Sequence, residues 1–175
     1  GAKQGLELLA PLAEAFESDT RVHFLFCGDG AFRPQLEALV AHRANVTLLP
    51  LQPFARLNDL LNAASIHLLP QRAGAADLVM PSKLTGMLSS GRPIIATADA
   101  GTQVAQVIEG SAPGEACGLV VPAEDSAALH SAVARLVEDA ELRQQLGANA
   151  RSYAVEHLGR DQVLEAFERE LQQLA

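Results

Sequence analysis

Val22-His23-Phe24-Leu25-Phe26-Cys27-Gly28-Asp29-Gly30-Ala31-Phe32-Arg33 runs from a short, almost wholly apolar segment through a glycine turn into what reads as a helix. An apolar run of that length, bounded by glycine, suits a strand covered on both faces, as in a parallel sheet. From Phe32 to His42, Leu36, Leu39 and Val40 recur at helical spacing. The same unit recurs on either side. Upstream, Gly5 to Phe16 carries Leu6, Leu9, Leu12, Ala13 and Phe16 on one helical stripe. Downstream, Val46 to Leu49 is a strand ended by Pro50, Pro53 to Ala63 a helix with Leu57, Leu60 and Leu61 inward, and Ile66 to Leu69 a strand ended by Pro70. After a long loop from Gln71 to Met80, Pro81 and Ser82 open a helix that Gly91 closes, with Ser82 placed as its capping hydroxyl. Pro93 to Thr97 is the next strand, Thr102 to Ile108 a short helix, and Gly118 to Val121 the last strand. From Asp125 the chain is helical, ending with Val163, Phe167, Leu171 and Leu174 on one stripe.

Strands alternating with helices across short loops predict an α/β fold: a Rossmann-like, doubly wound parallel sheet with helices on both faces and a helical C-terminal tail. The pattern opens on a helix where such a sheet opens on a strand, so a strand is expected before Gly1. Bulk numbers agree with one globular domain. The chain has 175 residues, 49% hydrophobic and 19% charged, which excludes a disordered chain. A formal net charge of -8 argues against nucleic acid or an anionic membrane as partner. Cys27 and Cys117 each sit in an apolar run and read as buried free thiols of a reducing, cytoplasmic compartment. No apolar run approaches the roughly 20 residues of a spanning helix.

Ligands of open α/β sheets bind beyond the carboxyl ends of the strands, and three segments fall there. Gly28, Asp29 and Gly30 let a backbone approach a ligand and lead into a helix N-terminus that offers free N–H groups to an anion. The same Gly-x-Gly also suits a plain tight turn, because Arg33 stands where a dinucleotide fingerprint has its third glycine. Lys83 lies in a helix first turn, where a cation opposes the helix dipole; an anion between it and the exposed amides removes the conflict. Asp77 in the long loop is placed to accept from sugar hydroxyls. Lys3, at the head of the first helix, reaches toward the same anion or simply frays. His23, His42, His67, His130 and His157 show no metal-ligand spacing, so no metal is expected. No Gly-x-Ser-x-Gly elbow, phosphate loop or base-stacking aromatic platform is present.

Four features in order carry a resemblance: the Gly28-Asp29-Gly30 turn, the Leu-Leu-Pro strand ends at Pro50 and Pro70, the block from Pro81-Ser82-Lys83-Leu84-Thr85-Gly86 to Pro93-Ile94-Ile95-Ala96-Thr97, and Gly118-Leu119-Val120-Val121-Pro122 with Leu142 to Gly147 and Arg151. Together they resemble the C-terminal, donor-binding half of retaining GT-B glycosyltransferases of family 4, in the colanic-acid and exopolysaccharide branch. The resemblance implies metal-independent transfer of a sugar from a nucleoside diphosphate donor to a polysaccharide or lipid-linked acceptor, with no cofactor. It implies that residues 1–160 bind the nucleotide sugar, and that helix 161–175 packs toward an N-terminal acceptor domain of the same polypeptide. The full protein would then act in the cytoplasm, with peripheral association at the inner membrane face through that other domain; the isolated chain is expected to be inactive. Gly28, Asp29 and Gly30 would line the nucleotide cleft, and the backbone from Leu49 to Leu51 would contact the base. Ser82, Lys83 and Lys3 would hold the diphosphate, and Asp77 the donor sugar. Catalytic residues stay unassigned, because the two glutamates many relatives carry fall here on Leu78 and Gly86. Two alternatives stand beside it: a non-catalytic nucleotide-sugar-binding or assembly module, in which loss of both glutamates reflects lost turnover, and a UDP-sugar 2-epimerase-like enzyme on the same architecture.

Overall fold

In the computed structural model five short strands alternate with helices over the residues it describes, which are 5–74 and 81–173, without the side chains of residues 165, 166, 168, 170, 171 and 173 in the last helix. A 3-10 turn, Leu6–Leu8, leads into α1 (Leu9–Ala15). There follow β1 (Phe24–Cys27), α2 (Arg33–Val40), β2 (Val46–Leu49), α3 (Leu57–Ala63) and β3 (His67–Leu69). The second half holds α4 (Ser82–Ser89), β4 (Ile94–Thr97), α5 (Gln103–Glu109), β5 (Gly118–Val121), α6 (Ser126–Glu138), α7 (Ala140–His157) and α8 (Arg160–Gln173). The α/β class, the parallel strands and helices on both faces are as the sequence implies.

The strands fall into two parallel sheets rather than one continuous sheet. β1 pairs with β2, with Phe24 opposite Val46, and β3, β4 and β5 pair in that order, with His67 opposite Ile94 and Ile94 opposite Gly118. β4 shows why its sequence is unbroken apolar. Ile95 points into one cluster with Leu12, Phe16, Phe24, Leu129 and Leu136, while Ile94 and Ala96 enter another with Leu84, Leu88, Ile108 and Ala150. Both faces of the strand are covered, α1 and α6 lying over one and α4, α5 and α7 over the other. The first cluster also joins the two sheets, because Phe24 of β1 and Ile95 of β4 share it.

α1 fixes the relative sense of the sheets. At its head, Gly5 lies against the backbone of Gln71, just past β3, with Glu7 paired to Arg72 at 2.8 Å. At its foot the Ala13 carbonyl accepts from Asn45 Nδ2 at 2.8 Å, just before β2. The helix therefore runs from the carboxyl end of β3 to the amino end of β2, and the carboxyl ends of both sheets lie on one side.

Local differences from the sequence reading have plain causes. Val22, Ile66 and Pro93 flank ladders that begin two, one and one residues later. The helix expected from Pro53 opens as a 3-10 turn, Phe54–Arg56; α3 buries no residue and Leu57 is 41% exposed, because α3 covers a rim rather than a core. The C-terminal helical stretch is three helices, with Asp139 closing α6 while its carboxylate accepts from Leu142 N to cap α7. Gly147, inside α7, is set by a close approach: a Cβ there would lie 2.4 Å from the Gly91 carbonyl oxygen.

Candidate functional site

At the carboxyl ends of β1 and β2 two loops are tied into one surface. Gly28 has φ +137°, a conformation only glycine adopts without strain. Its N–H donates to the Leu49 carbonyl at 3.2 Å, extending the ladder by one bond. Arg33 opens α2, and its Nη1 donates to the Gly28 carbonyl at 2.8 Å and to the Leu49 carbonyl at 2.7 Å. Asp29 Oδ2 accepts from Leu51 N–H at 3.0 Å. Cys27 Sγ lies 3.2 Å from the Pro50 carbonyl, which also accepts from Gln52 Nε2. The structure thus brings Gly28, Asp29, Gly30, Leu49 and Leu51 together. The backbone groups from Leu49 to Leu51 that were expected to meet a base are, in this structure, holding the two loops together. Leu51 and Phe54 stand on the rim, 72% and 89% exposed.

The second half of the site lies past β3 and β4. Thr97 Oγ1 accepts from Gln71 N–H and donates to the Gln71 carbonyl, both at 2.7 Å, locking the two strand ends. Gln71 Oε1 is buried there with no hydrogen-bond partner. Asp99 Oδ2 accepts from Gly74 N–H, and the Thr102 hydroxyl caps α5 by accepting from Ala105 N–H. The hydrogen bond from Arg72 holds the Glu7 carboxyl below its ordinary range.

α4 begins here with an open N-terminus. Pro81, not Ser82, is its cap residue, and no side chain caps it. This corrects the capping role given to Ser82, which is the first helical residue because Pro81, with ψ 123°, is still extended. Ser82 and Lys83 are both exposed in the first turn, so N–H groups with no side-chain cap among the described residues share one helix end with an ammonium. No hydrogen bond joins Ser82 or Lys83 to the Gly28 turn; the two halves of the site belong to different sheets.

Lys3, Asp77 and Leu78 lie outside the described residues. Gly86 does not: a Cβ there would come within 3.2 Å of Leu61 Cδ1, so this face of α4 is turned to α3. Among the described residues no three His, Cys, Asp or Glu side chains cluster as a metal site. His67 is buried, its Nε2 2.9 Å from Ser90 Oγ, and burial pushes its pKa down to about 4. Cys117 is buried and free, its thiol pushed up to about 11 by burial; Cys27 is free but exposed, a correction, because the strand end carries it out of the core. Sequence reasoning passed over Arg33, noticed only as a glycine not present. Its signal was a cation one residue into the helix after a Gly-x-Gly.

Residues 2–139 match the glycosyl transferases group 1 family. The chain belongs to that family. Among relatives of this group 1 domain, the WcaI protein of Escherichia coli (strain K12), assigned to colanic acid biosynthesis as a glycosyl transferase, is 34% identical over 169 residues, covering 95% of this chain and 40% of that protein. Sucrose-phosphate synthase from Thermosynechococcus elongatus superposes with TM-score 0.76 at 22% identity, over 99% of this chain and 43% of the other. Anabaena HepE, solved with UDP-glucose, gives TM-score 0.77 at 14% identity over 99% and 46%. The group 1 domain thus spans less than half the length of each, and shares its fold with GT-B glycosyltransferases. Among the described residues no helix is long and apolar enough to cross a membrane.

Proposed function

We propose that this chain is the nucleotide-sugar-binding domain of a retaining, metal-independent glycosyltransferase that passes a sugar to a polysaccharide or lipid-linked acceptor in the cytoplasm. The observation that carries the reading is the start of α4. Among the described residues no side chain caps its amides, and Lys83 stands exposed beside them, although a cation there opposes the helix dipole. A diphosphate resolves both features, accepting from the amides and pairing with the ammonium. The surface made by Gly28–Gly30 and Leu49–Leu51 would then take the nucleoside. Family membership supports a transferase, the WcaI relative, assigned to colanic acid biosynthesis, supports an exopolysaccharide-type role, and the HepE complex with UDP-glucose supports a nucleotide sugar. Catalysis would rest on positioning and on stabilising the departing diphosphate. A second domain of the same polypeptide would supply the acceptor.

Calorimetric titration of the chain with UDP and GDP, in chelator and in Mg²⁺, tests this. Binding is expected in both solutions, and binding only with the cation contradicts metal independence. Lys83→Ala is expected to lower affinity about ten- to a hundredfold, the worth of one hydrogen bond to a charged group, with the fold intact. Parent-like affinity would remove the diphosphate from α4. Asp77→Ala is expected to weaken the intact sugar donor and spare UDP.

One observation favours a second reading, a binding module without turnover. Gly86, on a position where many relatives carry a glutamate, offers no side chain to a ligand, and a Cβ added there would lie 3.2 Å from Leu61 Cδ1. Transfer of radiolabelled sugar by the full-length protein decides between the two.

A further inference from the structure

Resting on the reading that the carboxyl ends of β1 and β2 receive the nucleoside, we propose that Arg33 is the positioning residue of that half of the cleft, joining the Gly28–Gly30 turn and the Leu49–Leu51 loop into one surface formed before any ligand arrives. The strand ladder ends at Cys27 and Leu49. Beyond it, two loops leave their strands in different directions, one toward α2 and one toward α3. Backbone pairing alone adds a single bond, from Gly28 N–H to the Leu49 carbonyl. Arg33 supplies the rest on its side, with one nitrogen reaching both the Gly28 and Leu49 carbonyls at 2.8 and 2.7 Å. Asp29 answers from the opposite side by accepting from Leu51 N–H.

Three features separate a positioning role from a binding one. The side chain is only 20% exposed, and its Nε is held by Glu37 Oε1 at 2.5 Å, one helical turn on. That carboxylate neutralises the guanidinium, so Arg33 adds little long-range attraction for an anion. Its Nη1 is spent on two backbone carbonyls, those of Gly28 and Leu49. What removal of Arg33 takes away is the relative placement of two loops, which a ligand then has to restore from its own binding free energy.

The test compares three versions of the chain by UDP and GDP titration, at low and at high salt: parent, Arg33→Met and Arg33→Lys. Methionine keeps an unbranched apolar stem and removes the donor. Lysine keeps a donor that can serve both carbonyls from one nitrogen. Arg33→Met is expected to weaken the nucleotide about ten- to a hundredfold, equally at high salt, where screening removes long-range attraction. Arg33→Lys is expected to recover most of the loss. Met and Lys variants of equal affinity, or a loss that vanishes in high salt, overturn the positioning role while the nucleotide site stands. A parent chain that binds neither nucleotide overturns the site itself. Should Arg33→Met fail to fold, Glu37→Met, which removes the acceptor for Nε, decides at high salt: a smaller loss of the same kind supports the clasp, and parent-like affinity overturns it.

Discussion

His67 shows how a single residue departs from what its sequence context announces. A histidine without metal-ligand spacing reads as a surface or strand-edge residue, yet His67, the first residue of β3, is buried, with Ser90 Oγ at its ring nitrogen and its pKa pushed down to about 4 by burial. The unfolded chain, with an ordinary histidine near 6.5, binds more protons than the folded chain between those two values. Stability therefore rises with pH across that window and is lost as pH falls through it, by up to about 3 kcal/mol. Urea unfolding at intervals from pH 7 to pH 4 is expected to show this slope, and His67→Gln to flatten it. An unchanged slope in the variant would place the titration elsewhere. Residues of the site were legible to different degrees for the same physical reason. Gly28 and Lys83 announce themselves, because a glycine at a strand end and a cation at a helix start are locally unfavourable and ask for a cause. Arg33 and Gln71 do not, since their partners, Leu49 and Thr97, lie 16 and 26 residues away.

At the scale of elements, strand and helix types followed from apolar periodicity, while their ends depended on tertiary contacts. Periodicity marks Leu57 of α3 as inward, but the helix lies on a rim and the residue stays exposed. The division into two sheets was not legible either, since pairing partners are a property of the assembled layer. Gly147 makes the contrast quantitative. Alanine in a helix interior ordinarily gains about 1 kcal/mol over glycine. In α7 the added Cβ would lie 2.4 Å from the Gly91 oxygen, and backbone cannot yield as a flexible side chain does. Gly147→Ala is expected to destabilise by about 1–3 kcal/mol, read as a lower urea midpoint with an unchanged slope. A gain in stability would show that α7 and the Gly91 turn do not touch.

For the whole molecule, the apolar face of α8 is the feature its own core does not explain. Val163 and Phe167 are 51% and 59% exposed, and Leu164 lies beside them; the remaining two residues of the stripe, Leu171 and Leu174, fall outside the described side chains. Phe167→Ser is expected to leave the unfolding midpoint within about 0.5 kcal/mol of the parent and to reduce binding of a hydrophobic dye. A loss well above that would mean the ring is buried in solution. That this face meets another domain of the same polypeptide remains our proposal, in keeping with a match that covers 40% of the WcaI relative.

The division of the strands into two ladders bears on how separately the two halves of the site can be altered. Within each sheet, neighbouring strands are riveted by backbone bonds, which resist sliding. Among the described residues no ladder joins β1 to β3, whose side chains meet instead in the cluster under α1. The clasped loops of Arg33 ride on one plate and the open end of α4 on the other. A substitution in one half therefore leaves the backbone bonds of the other in place, and the loops of β1 and β2 can be varied independently of the end of α4.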